Sequence, residues 1–151
     1  MNKILTSTML TMALAACSPS ASVETDSIGR TTEFADSSHQ FTPEVMWQMG
    51  RIGSYQLSSD AQQAIYGVTY YSVEKNKSRA VIYASTPTTD ATPVALTAEA
   101  NSEYAPSFIP GTNKVAYLAA DKDGAMQLWM MHADGSNRKQ ITFEASDVND
   151  Y

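Results

Sequence analysis

The chain has 151 residues, with 10 lysines and arginines against 16 aspartates and glutamates and a formal net charge of −6. This length allows one domain of ordinary size, and an apolar content of 43% is enough for a packed core. The negative balance argues against nucleic-acid binding, and no apolar run is long enough to span a membrane. One cysteine and two histidines leave no metal or cofactor motif, so we expect neither.

Residues 1–16 have the pattern of a bacterial export signal. Lys3 supplies a positive charge, a short and mostly apolar run follows, and small residues precede Cys17. This ending resembles a lipobox, which implies cleavage before Cys17 and acylation of its sulfur and of the new amine. An ordinary secretory signal with a chance cysteine is the alternative. Several acyl chains anchor a protein stably where a single chain does not.

Cleavage at this point would leave 9 basic and 16 acidic residues, a net charge of −7. With Ser18 after the cysteine, the resemblance implies a cell-envelope lipoprotein of a Gram-negative bacterium. Such a protein faces the periplasm or reaches the outer membrane, and it contacts the membrane only through its lipid. Residues 17–40 are rich in serine, threonine and acidic residues, which predicts a flexible tether. His39 lies at its end, where we expect solvent exposure rather than catalysis.

A short helix is predicted over about 43–51. Thr42 is a suitable N-cap, Pro43 fits the first helical position, and Glu44 favours the positive end of the helix dipole. Two glycines follow and mark the end of the helix. The apolar face that we expect to pack carries residues at i, i+4 and i+7: Val45, Met49 and Ile52.

After the helix, the apolar period changes from 3.6 to 2, which predicts short strands. In the first half of this region, the predicted strands cover 55–57, 64–71, 80–84 and 94–96. In the second half, they cover 105–108, 115–119, 126–131 and 139–142. Turn residues separate them, including Asp-Gly pairs, which suit the positive φ of hairpin turns.

The two halves repeat. Leu57 corresponds to Phe108 at an offset of 51, and Leu96–Thr97 corresponds to Ile141–Thr142 at an offset of 45. Units of this length with four short strands have the size of propeller blades. The predicted fold is therefore all-β: a partial β-propeller over 41–151, with about two four-stranded antiparallel blades at 53–98 and 103–144 and the start of a third. A sandwich of seven or eight strands is the alternative, but it gives no reason for a repeat.

The second copy carries a resemblance to known families. Its residues 103–108 and 126–142 resemble the WD40-like repeat of TolB-type propellers and of the prolyl oligopeptidase family. Phe41–Glu44, followed by Trp47 and Gly50–Ile52, is similar to the N-terminal helix of bacterial dipeptidyl and acylaminoacyl peptidases. Val73–Lys77 is similar to a loop of their first blade. The type-five dipeptidyl peptidases are the most similar group. The family's Ser-Pro-Asp-Gly turn is absent from both copies.

The resemblance implies an exported serine exopeptidase, in which a propeller gates the access of peptides to a C-terminal α/β-hydrolase with a Ser-Asp-His triad. Its partners would be peptides and that hydrolase domain. The chain carries no Gly-x-Ser-x-Gly elbow, so we predict no catalytic residue in it and no activity of the chain alone. Cys17, for lipid attachment, is the one site residue predicted. A non-enzymatic TolB-like lipoprotein that binds envelope partners is the alternative, and a self-associating two-blade module is a third hypothesis.

Other residues that could carry chemistry favour structural roles. Asp121–Gly124 begins like a calcium loop, but position twelve is His132 rather than glutamate, so a hairpin turn is predicted. His132 lies beside a turn and is not expected to act in catalysis. Adjacent Met130 and Met131 point to opposite faces of a strand, which favours packing over metal binding. Packing between blades is also favoured over a peptide groove for five aromatic residues: Tyr70, Tyr71, Tyr83, Tyr117 and Trp129.

Overall fold

A computed structural model of the chain describes residues 41–97 and 102–151. The predicted signal, the tether, Cys17 and His39 lie outside these residues. The elements are α1 (Pro43–Gln48), β1 (Arg51–Leu57), β2 (Ala64–Ser72), β3 (Lys77–Ser85), β4 (Val94–Ala95), β5 (Glu103–Phe108), β6 (Lys114–Ala120), β7 (Met126–His132) and β8 (Lys139–Gln140). Within the described ranges, no helix has the length and apolar character needed to cross a membrane.

The eight strands form two four-stranded antiparallel sheets, in the orders β1-β2-β3-β4 and β5-β6-β7-β8. We call them blade 1 and blade 2. In each blade, every strand pairs with its neighbour in sequence, so both are simple meanders. The all-β prediction of about two four-stranded blades after a short helix is confirmed.

The core lies between the two blades, which pack face to face. Ile65 and Ile82 of blade 1 meet Val115, Tyr117 and Met131 of blade 2, and each of these side chains is at most 1% exposed. The alternation of side chains along a strand places them on the facing surfaces. Complete burial of such a side chain contributes roughly 1.5–3 kcal/mol, so this interface holds the two blades together.

The sequence repeat corresponds to repeated hydrogen bonds. In blade 1, Thr97 Oγ1 accepts from the amide of Ile82 (2.9 Å), and the carbonyl of Ile82 accepts from the amide of Thr97 (3.4 Å). In blade 2, Thr142 and Leu128 form the same two bonds at 2.9 and 3.4 Å. A threonine hydroxyl therefore continues the ladder just beyond the short outer strand of each blade. The two threonines are 45 positions apart, which is the predicted offset.

Polar side chains also join the inner strands and the outer turns of the two blades. Gln56 Oε1 of β1 accepts from the amide of Phe108 in β5 (2.6 Å). Arg138 of blade 2 donates to the backbone carbonyl of Leu96 in blade 1 (2.5 Å), and it is held within its own blade by the buried carboxylate of Glu103 (3.4 Å). These contacts fix the position of one blade on the other at both edges.

The helix prediction is right at its start and wrong at its end. Thr42 Oγ1 accepts from the amide of Val45 (3.3 Å), so the predicted N-cap is confirmed. The helix stops at Gln48, because Met49 already has extended backbone (φ −77°, ψ 130°). Ile52 lies in β1 and is 66% exposed. The predicted apolar face therefore does not form.

Close packing at Gly50 accounts for this early end. A Cβ at Gly50 would lie 2.7 Å from side-chain carbons of Val68 and Tyr70. The chain passes so near to β2 at this point that it already runs as a strand partner, and Arg51 pairs with Thr69. Gly53, which was predicted to follow the helix, lies within β1.

Several strand limits also differ from the prediction. β1 begins at Arg51 rather than at residue 55, and β8 stops at Gln140 rather than at residue 142. The segment between the predicted strands 64–71 and 80–84 is shorter than predicted, because the β2–β3 ladder continues to the pair Ser72↔Lys77 and leaves a turn of four residues. Backbone pairing extends over polar residues whose side chains give no periodic apolar signal.

Candidate functional site

A cleft with a volume of about 390 Å³ opens between α1 and the β2–β3 hairpin. We call it the aromatic cleft. It is lined by Trp47 of α1, by the last residues of β2 and by the turn and start of β3: Tyr71, Ser72, Val73, Asn76, Lys77 and Ser78. It combines two aromatic rings with hydroxyl, amide and ammonium groups, a mixture typical of sites that bind small polar ligands.

The local fold places these side chains together. The cap at Thr42 begins α1, and the close approach of Gly50 to β2 brings the helix alongside that strand. Trp47 and Tyr71 then meet edge to face, with ring centroids 5.5 Å apart and an interplanar angle of 67°. This geometry is a favourable one for aromatic pairs.

Arg51 completes the cluster from the first position of β1. Its guanidinium carbon lies 4.7 Å from the ring centroid of Trp47 and 4.7 Å from that of Tyr71. Both distances fall in the range of cation–π attraction, which is strongest for tryptophan. The residue is exposed. A guanidinium held in this way keeps in-plane N–H donors that suit a carboxylate.

The aromatic cleft belongs to blade 1, and the strand pairs that form its walls have no counterpart in blade 2. The β6–β7 ladder ends at the pair Ala120↔Met126, which corresponds to Thr69↔Ala80 in blade 1. The β2–β3 ladder runs three pairs further, through Tyr71 to Ser72↔Lys77. These additional pairs form the walls of the cleft.

A second groove, of about 600 Å³, lies at the opposite end of β2, between the β1–β2 and β5–β6 turns. Among the described residues that line this groove, Asp60 carries the one carboxylate. Its Oδ1 accepts hydrogen bonds from Ser58 Oγ (2.6 Å) and from the amide of Gln62 (3.1 Å), both in the same turn. The hydroxyl of Ser58 and then this amide lower the pKa of Asp60. The carboxylate therefore stabilises the turn. This makes the groove a weaker candidate for a ligand site than the aromatic cleft.

The structure places His132 at the end of β7, where its Nδ1 lies 3.4 Å from the side-chain nitrogen of Asn137. The turn that follows is the predicted Asp-Gly turn, with Gly135 at φ +85°. Asp134 Oδ1 accepts from the amide of Ser136 (2.9 Å). The Ser136 hydroxyl and amide, together with the charge of His132, lower the pKa of Asp134.

The hairpin turn predicted at 121–124 is confirmed. Asp121 Oδ1 accepts from the amides of Asp123 (2.9 Å) and Ala125 (3.1 Å), and Gly124 has φ +91°. The carboxylate is thus used by the turn itself. Across residues 41–97 and 102–151, no three histidine, cysteine or acidic side chains are grouped closely enough to hold a metal ion.

Packing between the blades is confirmed for two of the predicted aromatic residues. Tyr117 is 1% exposed in the shared core, and Trp129 packs on that core while its indole N–H donates to the carbonyl of Ala119 (3.1 Å). Met131 is likewise fully buried. Tyr70 and Tyr83 instead pack in a second cluster within blade 1. Tyr71 is the exception, because it lines the aromatic cleft.

Sequence reasoning missed Arg51 as a site residue. Trp47 and Arg51 are four positions apart, a spacing that would place them on one face of a continuous helix. The helix ends between them, yet the Arg51 guanidinium still lies over the Trp47 ring. Tyr71, the third member of the cluster, is 20 positions beyond Arg51. The β1–β2 pairing brings Tyr71 to the other two residues.

No protein-family model matches the chain. Its sequence is similar to that of dipeptidyl-peptidase 5 from Porphyromonas endodontalis, with 28% identity over 123 residues, which cover 82% of this chain and 18% of that protein. Its fold is similar to that of AtxE2 isopeptidase in the apo form, with a TM-score of 0.58 and 16% identity over 73% of this chain and 21% of that one. The chain spans about a fifth of the length of both proteins.

The chain is a peptidase-related protein. The sequence similarity to dipeptidyl-peptidase 5 carries this relationship, and the structural similarity concerns the fold alone. The resemblance to peptidases noted in the sequence is confirmed at this level.

Proposed function

We propose that the chain is the N-terminal propeller portion of an exported serine exopeptidase of the dipeptidyl or acylaminoacyl type. The observation that carries the proposal is the similarity to dipeptidyl-peptidase 5 along 82% of the chain, a stretch long enough to include most of both blades. The remainder of such an enzyme would supply an α/β-hydrolase with the Ser-Asp-His triad.

In this proposal, the propeller gates access to the hydrolase. All seven residues of β1 are exposed, and β1 lies beside β5. In a closed ring of blades, strands in this position line a central passage. Its width would admit short or unfolded peptides and exclude folded proteins.

Export and lipid attachment belong to the same proposal. Cys17, acylated after cleavage, would hold the enzyme at the cell envelope, with the tether of residues 17–40 between the lipid and the blades. Growth with labelled palmitate tests this directly: the wild type is expected to carry label and Cys17→Ser to lose it, with Ser18→Ala as the matched control. Label retained by Cys17→Ser would contradict the anchor.

The activity is tested with the product of the complete reading frame that contains this chain. We expect it to release dipeptides, or acylated amino acids, from the N-termini of short peptides, and we expect a fluorophosphonate that modifies the serine to abolish this release. The 151-residue chain alone is the matched control and should be inactive. Absence of both cleavages in the complete product would favour the TolB-like binding lipoprotein. Serine-dependent cleavage by the 151-residue chain would contradict the assignment of the chemistry to the hydrolase.

A further inference from the structure

We propose that the aromatic cleft binds a carboxylate of the peptide substrate, with Arg51 as the anion-binding side chain. This inference rests on the proposed function, since it takes the ligand to be a peptide. The carboxylate belongs either to the C-terminus of the peptide or to an acidic side chain, and both sources present the same two oxygens.

Charge supports an anionic ligand. The chain has a net charge of −6, yet the aromatic cleft gathers the guanidinium of Arg51 at its rings and the ammonium of Lys77 in its lining. Within the described residues, the contacts of the Arg51 guanidinium are those with the Trp47 and Tyr71 rings. A carboxylate would therefore meet the Arg51 guanidinium, which the two rings position but do not neutralise. Glu74, an exposed residue of the β2–β3 turn, is not among the residues that line the cleft.

The ring geometry supports a directed contact. The interplanar angle of the rings is 67°, and both centroids lie 4.7 Å from the guanidinium carbon, so the group contacts both rings at once. Its orientation is restricted before any ligand binds, which lowers the entropy lost on binding. An arginine held in this way can donate two parallel N–H bonds to a carboxylate.

Comparison of the two blades separates this cluster from the features that build the fold. The threonine hydroxyl contacts occur in both blades, as a structural requirement of each unit would. The aromatic cleft depends on three ladder pairs that blade 2 lacks. At the offset of 51, Arg51 corresponds to Ser102. A local function, rather than blade stability, explains such a difference.

The position of the cleft suits a peptide on its way to the hydrolase. Arg51 is the first residue of β1, the exposed inner strand. The volume of about 390 Å³ lies at the lower end of the range for small-molecule sites. It is sufficient for one end of a peptide rather than for a folded partner.

The two tryptophans provide a direct test by NMR of the chain labelled with ¹⁵N-tryptophan. Two pairs of peptides serve as probes. The first compares acetyl-Ala-Ala-Ala with a free C-terminus and its C-terminal amide, and the second compares acetyl-Ala-Glu-Ala-amide and acetyl-Ala-Gln-Ala-amide.

The indole signal of Trp47 is the readout, and it is assigned with Trp47→Phe. We expect this signal to shift saturably with a carboxylate peptide and not with its uncharged partner. The signal of Trp129 should stay fixed, because its N–H is bound to Ala119. The pair that responds identifies the source of the carboxylate. Equal response to both members of each pair, or no saturable shift, would overturn the proposal.

Variants separate ligand binding from anchoring of the helix. Arg51→Met should weaken binding of the carboxylate peptide about tenfold or more, as expected for loss of a charge-assisted contact. Arg51→Lys should retain part of the affinity, and Lys122→Met, an exposed cation of blade 2, should retain all of it. A purely structural Arg51 would instead lower the denaturation midpoint without any preference between carboxylate and amide peptides.

The complete reading frame gives a second readout that does not depend on the behaviour of the isolated chain. For a peptide substrate that carries the recognised carboxylate, Arg51→Met should raise KM about tenfold and leave kcat unchanged. For the same peptide with an amide in place of that carboxylate, KM should not change. Peptidase activity with no effect of Arg51→Met would refute this site alone. Carboxylate binding by a product without peptidase activity would refute the proposed function alone.

Discussion

At the scale of single residues, two threonines carry the repeat. The hydroxyls of Thr97 and Thr142 each accept an amide of the third strand in their blade, at 2.9 Å in both cases, and Thr97 is 1% exposed. Replacement by valine keeps the shape of the side chain but leaves the amides of Ile82 and Leu128 without this acceptor.

We expect Thr97→Val to lower the free energy of unfolding by about 1–3 kcal/mol, the cost of leaving a buried donor unsatisfied. Thr142→Val should cost less, about 0.5–1.5 kcal/mol, because its bond with Leu128 is only partly buried. Urea denaturation measures the change, with the exposed Thr92→Val as control. A loss no larger than that of the control would show that the hydroxyls do not hold the outer strands.

Tyr151 gives the chain a pH dependence in the alkaline range. Its hydroxyl lies 2.9 Å from the carbonyl of Ala116 and also contacts that of Ala105. Burial, with a smaller effect of Asp150, raises the pKa of Tyr151 to about 12 from its ordinary value of 10.0. Because the folded state holds this proton more tightly than the unfolded state, the stabilisation is complete below pH 10 and is lost as the pH rises towards 12.

Tyr151→Phe should therefore make the denaturation midpoint fall less steeply between pH 10 and 12. The control is Tyr55→Phe, which removes a tyrosine that is 81% exposed. Urea denaturation across this pH range gives the slopes. The same slope in the wild type and Tyr151→Phe would exclude a link between this phenol and the fold.

At the scale of elements, the β7–β8 turn packs closely on the outer edge of blade 1. Gly135 has φ +85°, and a Cβ added to it would lie 3.1 Å from the carbonyl oxygen of Leu96. Gly124 has a similar φ of +91°, with nothing near its Cβ position. Substitution of Gly124 therefore tests backbone strain alone, whereas substitution of Gly135 tests backbone strain together with contact between the blades.

Gly124→Ala should cost about 1–2 kcal/mol, the usual penalty for left-handed backbone in a residue with a side chain. Gly135→Ala should cost more, because the methyl group also presses on Leu96. Thermal or urea unfolding of both variants gives the comparison. Equal losses would show that the turn can move away from blade 1 at no cost.

The elements also show how far the sequence leads. The apolar alternation and the offsets of 51 and 45 were sufficient to predict two blades and the equivalent positions of Thr97 and Thr142 in them. Both predictions depend on patterns local to each strand. The end of α1 was not predictable from periodicity, because a contact of Gly50 with Val68 and Tyr70 decides it. Arg51 was missed as a site residue for the same reason, since its partner Tyr71 is brought near only by strand pairing.

At the scale of the whole molecule, two blades with an interlocked core form a unit whose inner strands lie side by side. The same interface that buries Tyr117 and Met131 also orders the inner edge, through the contact of Gln56 with Phe108. Fold and proposed gate therefore depend on one another. In the proposed function, the stacked blades would line the passage, and the aromatic cleft at the start of β1 would select what enters it.

The central claim is that this chain is the propeller portion of a peptidase, and the coding sequence beyond the codon for Tyr151 tests it most directly. The chain spans 18% of dipeptidyl-peptidase 5, so the account predicts an open frame of several hundred further codons. That frame should encode more blades, then a Gly-x-Ser-x-Gly elbow followed by an aspartate and a histidine. An immediate stop codon, or further blades with no hydrolase after them, would contradict the claim.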